Sequence, residues 1–182
     1  MCRELVWMAN HMEKLDGVRM LQAEDWGIED AEVILFCDAC PSGMGFWCEL
    51  GNVILGFQCA IDDRSHGIFY FEALAVLSAL VFALQSSFPC PSRITIFTDN
   101  SNTVNMFNSL KATPIYNPIL MTVVDLLLGY NAQLRVYHIP GSENHIADSL
   151  SRFNNDAVYN ATLSIIINPF TPPRVTLGAD LS

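Results

Sequence analysis

Val33-Ile-Leu-Phe-Cys-Asp-Ala-Cys-Pro-Ser-Gly-Met-Gly-Phe-Trp47 is the stretch of sequence on which the predicted fold depends. It begins as an apolar, strand-like run that delivers one acid, Asp38, into a turn built from Pro41, Ser42 and Gly43. A carboxylate at the end of a buried strand is unfavourable unless a cation meets it. The groups that surround Asp38 are therefore the first question that the sequence raises.

The rest of the chain predicts an α/β domain. We expect strands over 32–39, 44–50, 53–61, 93–98 and 133–139, and helices over 68–88, 100–110, 117–130 and 143–152. The first three strands are joined by turns and form an antiparallel meander, whereas helical crossovers make the last two parallel to their neighbours. The predicted architecture is a mixed five-stranded sheet, three antiparallel strands followed by two parallel ones, flanked by helices. Asn117 followed by Pro118 is typical of a helix cap.

The two ends of the chain lie outside this domain, which we place at residues 31–153. Residues 1–30 are expected to hold an amphipathic helix over 4–16, with Leu5, Met8 and Met12 at helical spacing, a short strand at 18–21 and an acidic connector. Residues 154–182 are expected to form an extended tail, within which 165–167 is a short strand-like run.

Composition limits the function classes. The chain has 182 residues and a formal net charge of −10, from 19 acids against 9 Lys and Arg, which argues against an extended basic surface for nucleic acid. The six cysteines show no paired CxxC spacing typical of zinc, so we expect buried free thiols in a reducing compartment, cytoplasmic or nuclear. The uncharged run from Ala73 to Ser92 is broken in its second half by Gln85, Pro89 and Pro91, and this indicates a buried helix rather than a membrane span.

Four acids lie at strand ends or in helices that should meet at one edge of the predicted sheet. Asp38 ends the first strand, Asp99 ends the fourth, Glu72 lies at the start of the first long helix and Asp148 lies in the last. Any one of them alone is typical of a turn, a cap or a helix terminus. Together they predict a site for hard divalent cations, because clustered carboxylates cannot all stay ionised without them. Two such ions form the arrangement that cleaves phosphodiesters.

The sequence resembles the ribonuclease H domain of retroelement reverse transcriptases, most closely those of gypsy-like and DIRS-like elements. The matching motifs are Cys37–Trp47, Phe71–Val76, Phe97–Asn102 and His138–Arg152, within residues 31–153. The last is the most specific, since Asn144 to Arg152 meets the family pattern Asn-x-x-Ala-Asp-x-Leu-Ser-Arg in full.

The resemblance implies an RNase H-like fold and hydrolysis of the RNA strand of RNA–DNA hybrids with Mg²⁺ or Mn²⁺. Asp38, Glu72, Asp99 and Asp148 then fall on the four metal-binding acids. His138 falls where many members carry a mobile histidine that assists water or product release, and His145 is the second choice. Further candidates for substrate contact are Ser42, Asn100, Ser101, Asn102 and Asn144; helix capping is an equally good interpretation of the residues that follow Asp99.

Three other functions compete with this interpretation. An RNase H-like domain retained as a scaffold is favoured by the acidic composition and the apolar N-terminal helix. A DDE-type integrase or transposase shares the fold class but has no Glu at the first helix, so Glu72 argues against it. A DEDD exonuclease requires Asp-x-Glu on the first strand, where this chain has Asp38-Ala-Cys40.

The scarcity of basic residues bears on substrate binding. Affinity for a hybrid depends largely on phosphate neutralisation. Lys14 and Lys111 are the only lysines, and the arginines are scattered. We therefore expect an upstream reverse transcriptase module to supply much of the grip on the hybrid, with residues 1–30 as the tail of that connection.

Overall fold

A computed structural model of the chain describes residues 3–14, 25–62, 65–86 and 89–173. Its strands are β1 (Val33–Cys40), β2 (Gly43–Leu50), β3 (Val53–Ala60), β4 (Arg93–Thr98), β5 (Gln133–His138) and β6 (Ile165–Pro169). Its helices are α1 (Arg3–Lys14), α2 (Ile68–Ser86), α3 (Ser101–Ser109), α4 (Asn117–Tyr130), α5 (His145–Ser151) and α6 (Asn155–Ala161). A single 3₁₀ turn, Ile28–Asp30, precedes β1.

The strands form one mixed sheet in the order β5-β4-β1-β2-β3-β6. β1, β2 and β3 are antiparallel, as the short turns between them predict, and Gly51 adopts a φ of +63° in the second turn. β4 pairs parallel to β1, and β5 pairs parallel to β4. The predicted mixed sheet, with its antiparallel meander and parallel crossovers, is confirmed.

The sheet has a sixth strand, which differs from the five expected. β6 pairs parallel to β3, and α6 precedes it, so residues 155–169 are not an extended tail. Ile165 packs with Leu150 and Val158 in a small apolar cluster on the face that carries α5 and α6. Burial of these side chains explains why the segment is ordered, and the partners that bury them are distant in sequence.

The larger core lies between the other face of the sheet and α2. α2 is 19 residues long and has a hydropathy high enough for a membrane span, yet most of it is buried against the sheet. Alternate residues of β1, among them Leu35 and Cys37, face this core and are completely buried. Cys37, Cys40 and Cys48 are buried free thiols, as expected, whereas Cys59 is half-buried and Cys90 is exposed. Phe46 is 1 % exposed and packs in the same core.

The N-terminal helix α1 contacts the domain through polar side chains and not through the apolar residues that the sequence pattern favours. Trp7 Nε1 donates to Asp125 Oδ1 of α4 at 2.8 Å, and His11 Nε2 lies 2.8 Å from the same oxygen. The predicted apolar residues Leu5 and Met12 are instead exposed. The predicted strand at 18–21 lies outside the described residues.

Asn117 is the first residue of α4 rather than its cap. Tyr116 occupies the cap position without a side-chain hydrogen bond, and Asn117 Nδ2 donates to Glu4 Oε1 at 2.9 Å. The helix still has Pro118 in its first turn, as the sequence predicts.

Candidate metal-binding site

The four predicted acids come from four different elements. Asp38 lies on β1, Asp99 directly follows β4, Glu72 lies in the second turn of α2 and Asp148 lies in α5. β1 and β4 are parallel neighbours, with Phe36 opposite Phe97, so the aspartates two residues further on leave the sheet at the same edge. The sheet topology therefore brings Asp38 and Asp99 together as the sequence predicts.

Three of these carboxylates form a compact cluster. Oxygens of Asp38, Glu72 and Asp99 all lie within 4.8 Å of one another. Asp38 is 4 % exposed and Glu72 is 5 % exposed, so water screens their charges only weakly. Glu72 Oε2 is buried and has no hydrogen-bond partner among the described residues. A buried carboxylate oxygen without a donor, in a side chain beside two other carboxylates, would be satisfied by a divalent cation, and oxygen donors of this kind suit Mg²⁺ or Mn²⁺.

Burial and mutual repulsion raise the pKa of two members of the cluster. Burial, followed by the charges of Asp38 and Asp99, raises the pKa of Glu72 to about 9, and the backbone N–H of Ala39 and the side chain of Asn100 act in the opposite direction. Burial likewise raises the pKa of Asp38 to about 6, with smaller contributions from Asp99 and Asp148. A divalent cation would reverse both effects, because it favours the ionised carboxylates.

Asp148 lies beside this cluster but outside the group of three. Its carboxylate is partly exposed, and Arg152 Nε donates to its Oδ1 at 2.7 Å across one turn of helix. Ser151 Oγ lies 2.6 Å from Asp38 Oδ2 and 2.8 Å from the Asp148 carbonyl oxygen, so the turn of α5 that carries Asp148 is beside Asp38. The fourth acid is therefore at the same edge of the sheet, with its carboxylate paired to an arginine.

Two glycines on β2 allow α5 to approach the sheet. A Cβ at Gly45 would lie 2.6 Å from Leu150 Cβ and 2.6 Å from the Ser151 backbone nitrogen. A Cβ at Gly43 would lie 2.6 Å from the Ser151 carbonyl oxygen. Because Gly45 lies opposite Asp38 in the β1–β2 register, the bare backbone of β2 places α5 next to the acid cluster.

The two histidines differ in their contacts. His138 is the last residue of β5 and lies at the same edge of the sheet. Its side chain is exposed, and its Nε2 lies 3.1 Å from the Asp99 carbonyl oxygen. A carbonyl can only accept, so Nε2 carries the hydrogen and Nδ1 is the acceptor of a neutral ring. His145 is also exposed, at the first residue of α5.

The residues predicted to contact substrate separate into two groups. Ser42, Ser101 and Asn102 are exposed. Asn100 is the cap of α3, where its Oδ1 accepts from the backbone N–H groups of Asn102 and Thr103, so the capping interpretation is confirmed.

Asn144, which the sequence predicts to contact substrate, is buried in the structure. It is 1 % exposed, and its Nδ2 donates to the Cys37 carbonyl oxygen at 3.0 Å. It connects the start of α5 to β1 and does not face solvent. Amide side chains that follow a loop look alike in sequence whether they point outward or into a neighbouring strand.

Sequence reasoning missed the roles of Ser151 and Arg152. Ser151 Oγ donates to Asp38 Oδ2 at 2.6 Å, and Arg152 pairs with Asp148. Their spacing of three and four residues from Asp148 puts them on one helix face with it, which was the available signal. Gly141 also approaches the cluster, since a Cβ there would lie 3.0 Å from Asp99 Oδ2.

Comparison with solved structures identifies the fold. RNase H1 from the archaeon Halobacterium salinarum is 19 % identical with a TM-score of 0.54, over 68 % of this chain and 97 % of its own. LC11-RNase H1, isolated from compost and solved with an RNA/DNA hybrid, is 18 % identical with a TM-score of 0.57, over 71 % of this chain and 99 % of its own. The N-terminal RNase H domain of a Mycobacterium tuberculosis protein is 14 % identical with a TM-score of 0.55, over 66 % of this chain and 96 % of its own.

No protein-family model and no curated protein sequence matches the chain. The structural matches, together with the strand order and the helices on both faces, show that the fold is RNase H-like. At these identities they establish the architecture, and the function has to be argued from the site.

Proposed function

We propose that this protein is a metal-dependent endonuclease that hydrolyses the RNA strand of RNA–DNA hybrids. The observation that carries the proposal is the buried cluster of Asp38, Glu72 and Asp99, whose oxygens lie within 4.8 Å of one another at the edge of an RNase H-like sheet. Asp148, in the turn of α5 that Ser151 joins to Asp38, adds the fourth acid that the sequence resemblance implies. The similar solved proteins carry the name RNase H, and one of them was solved with an RNA/DNA hybrid.

The residues present fit Mg²⁺, with Mn²⁺ as its substitute and two ions as the expected number. Asp38, Glu72, Asp99 and Asp148 would hold the ions. When bound, such ions activate a water and stabilise the charge that develops on the leaving oxygen of a phosphodiester.

The chain contributes the arrangement of these ligands. Asp38 and Asp99 are fixed by two paired strands, and Glu72 is fixed by a buried helix, so three carboxylates need little reorganisation on binding. Asp148 is more exposed and has a competing partner in Arg152. The site therefore combines three acids in fixed positions with a fourth, Asp148, which would break its ion pair with Arg152 when it binds metal.

His138 is proposed to move a proton at the reaction edge. Its Nε2–H is engaged by the Asp99 carbonyl, which leaves Nδ1 of the exposed ring as the atom that accepts and releases a proton. This position suits protonation of the leaving group or release of product.

The surface cations support a role for an upstream module in substrate binding. Among the arginines and lysines whose side chains the structure describes, Arg93, Arg135 and Arg152 each pair with an acid, and Lys111 is exposed. Few charges are then left to neutralise phosphates. We propose that a reverse transcriptase module of a retroelement precedes this domain and supplies much of the affinity for the hybrid. The compartment that we propose is reducing, either cytoplasmic or nuclear.

The decisive experiment is cleavage of a labelled RNA–DNA hybrid by the full chain at high protein concentration, with Mg²⁺ or Mn²⁺. Asp38→Asn should abolish cleavage, and Asp156→Asn, an exposed acid in the first turn of α6, should not change it. Removal of a buried charge should leave Asp38→Asn at least as stable as wild type, so that loss of activity is not loss of fold. Equal cleavage by Asp38→Asn and wild type would refute the proposal.

A catalytically idle scaffold is the second candidate. The pairing of Arg152 with Asp148 favours it, because a guanidinium already neutralises the fourth acid without metal. Wild-type protein that binds Mn²⁺ weakly or not at all and never cleaves hybrid would identify this function. Calorimetry with Mn²⁺ measures the first property and the cleavage assay measures the second.

A further inference from the structure

Ser151 makes a buried contact with the acid cluster from the end of α5. Its side chain is completely buried, and its Oγ lies 2.6 Å from Asp38 Oδ2 and 2.8 Å from the Asp148 carbonyl oxygen. The hydroxyl has one proton, and the Asp38 carboxylate is the stronger of these two acceptors. Ser151 is thus a direct link between the acid on β1 and the helix turn that carries Asp148.

The surrounding backbone makes this contact possible and holds it in place. The missing side chain at Gly45 lets the Ser151 backbone approach β2, opposite Asp38. At the other end of α5, Asn144 donates to the carbonyl oxygen of Cys37, the residue before Asp38. α5 is therefore attached to adjacent residues of β1 at both of its ends.

The hydrogen bond fixes one oxygen of the Asp38 side chain. Ser151 Oγ is buried and lies 2.6 Å from Asp38 Oδ2, so a donor in a fixed place restricts rotation of the carboxylate about its Cβ–Cγ bond. The carboxylate is thereby presented to a cation in one orientation.

We propose that Ser151 is a positioning residue for divalent-metal binding: it orients the Asp38 carboxylate and sets its spacing from Asp148. This inference rests on the metal site of the proposed function, and it concerns the affinity for metal rather than the chemistry. Loss of a hydrogen bond that orients a metal ligand typically lowers metal affinity by about 10-fold to 100-fold. Ser151→Ala should lower the affinity for Mn²⁺ by that factor.

The test compares Mn²⁺ binding to the full chain by calorimetry, without nucleic acid, for wild type, Ser151→Ala and Ser78→Ala. Ser78 is a matched control, since it is a buried serine whose hydroxyl donates to the Leu74 carbonyl of its own helix. Ser78→Ala should bind Mn²⁺ like wild type. Ser151→Cys retains a weak donor of similar shape and should fall between wild type and Ser151→Ala, and it replaces the alanine variant if that variant does not fold.

The outcomes separate this inference from the proposed function. Folded Ser151→Ala or Ser151→Cys with wild-type Mn²⁺ affinity overturns the positioning role, whether or not the protein cleaves hybrid. An equal loss in Ser78→Ala also overturns it, because any buried serine would then have the same effect. A selective loss in Ser151→Ala, in a wild type that binds Mn²⁺ but does not cleave hybrid, supports the positioning role and rejects the nuclease. A wild type that binds no Mn²⁺ rejects both.

Discussion

Replacing Glu72 with glutamine should stabilise the metal-free protein and weaken its stabilisation by metal. Glu72 is a buried carboxyl whose pKa is raised from its ordinary value of 4.5 to about 9, chiefly by burial and then by Asp38 and Asp99. A folded-state pKa above the unfolded one means that the folded chain binds the proton more tightly. The stability from neutral Glu72 is therefore complete below pH 4.5 and is lost as the pH rises towards about 9.

The size of the effect follows from the pH. At about pH 7.5 Glu72 is ionised in the unfolded chain and neutral in the folded chain. Ionisation at about three pH units above the unfolded pKa stabilises the unfolded chain, and this lowers the free energy of unfolding by up to about 4 kcal/mol. At about pH 5 the same difference is half a unit, or less than about 1 kcal/mol. Glutamine has no proton to bind and avoids this cost.

Urea unfolding in chelator at both pH values measures these differences. Glu72→Gln should exceed wild type clearly at pH 7.5 and only slightly at pH 5, and Glu49→Gln, an exposed acid on β2, should stay within about 0.5 kcal/mol of wild type. Saturating Mg²⁺ should add about 3 kcal/mol to wild type at 100 times its dissociation constant, and much less to Glu72→Gln. A Glu72→Gln protein that is less stable than wild type at pH 7.5, or that gains as much from Mg²⁺, would refute the charged-cluster reasoning.

Three further predictions test the surroundings of the cluster. Arg152→Gln should change stability by no more than about 0.5 kcal/mol, as for other pairs one helical turn apart, yet tighten Mn²⁺ binding by freeing Asp148, which calorimetry would detect. His138→Ala should lower kcat about 100-fold with little change in Mn²⁺ affinity, as compared in cleavage and binding assays. Gly45→Ala should cost about 1 to 3 kcal/mol in urea unfolding, because its Cβ would overlap backbone of α5 that cannot move alone, and unchanged stability would contradict the close packing of α5.

Two parts of the molecule show which properties are local. The alternation in Val33–Cys40 and the turn residues after it predict β1, β2 and their antiparallel pairing, because side-chain period and turn chemistry act over a few residues. Topology then places Asp38 and Asp99 together, since parallel neighbouring strands end at the same edge. The acid cluster could accordingly be predicted from sequence.

Other features depend on contacts between distant parts of the chain. β6 is a short run that becomes a strand only because β3 offers a free edge and Ile165 finds an apolar cluster. Trp7 and His11 bind Asp125 on α4, so the side of α1 that looks apolar in sequence is left exposed. Neither outcome is visible in the periodicity of the segment itself.

The sequence by itself determined the order of elements from β1 to α5 and the acids that meet at one edge of the sheet. Only the tertiary structure decided that Ser151 holds Asp38, 113 residues away, and that Asn144 faces β1, 107 residues away, instead of substrate. The physical reason is that hydrophobic period and turn preference are properties of neighbouring residues. A buried hydrogen bond depends on which backbones come close, and here that is set by the bare β2 backbone at Gly43 and Gly45.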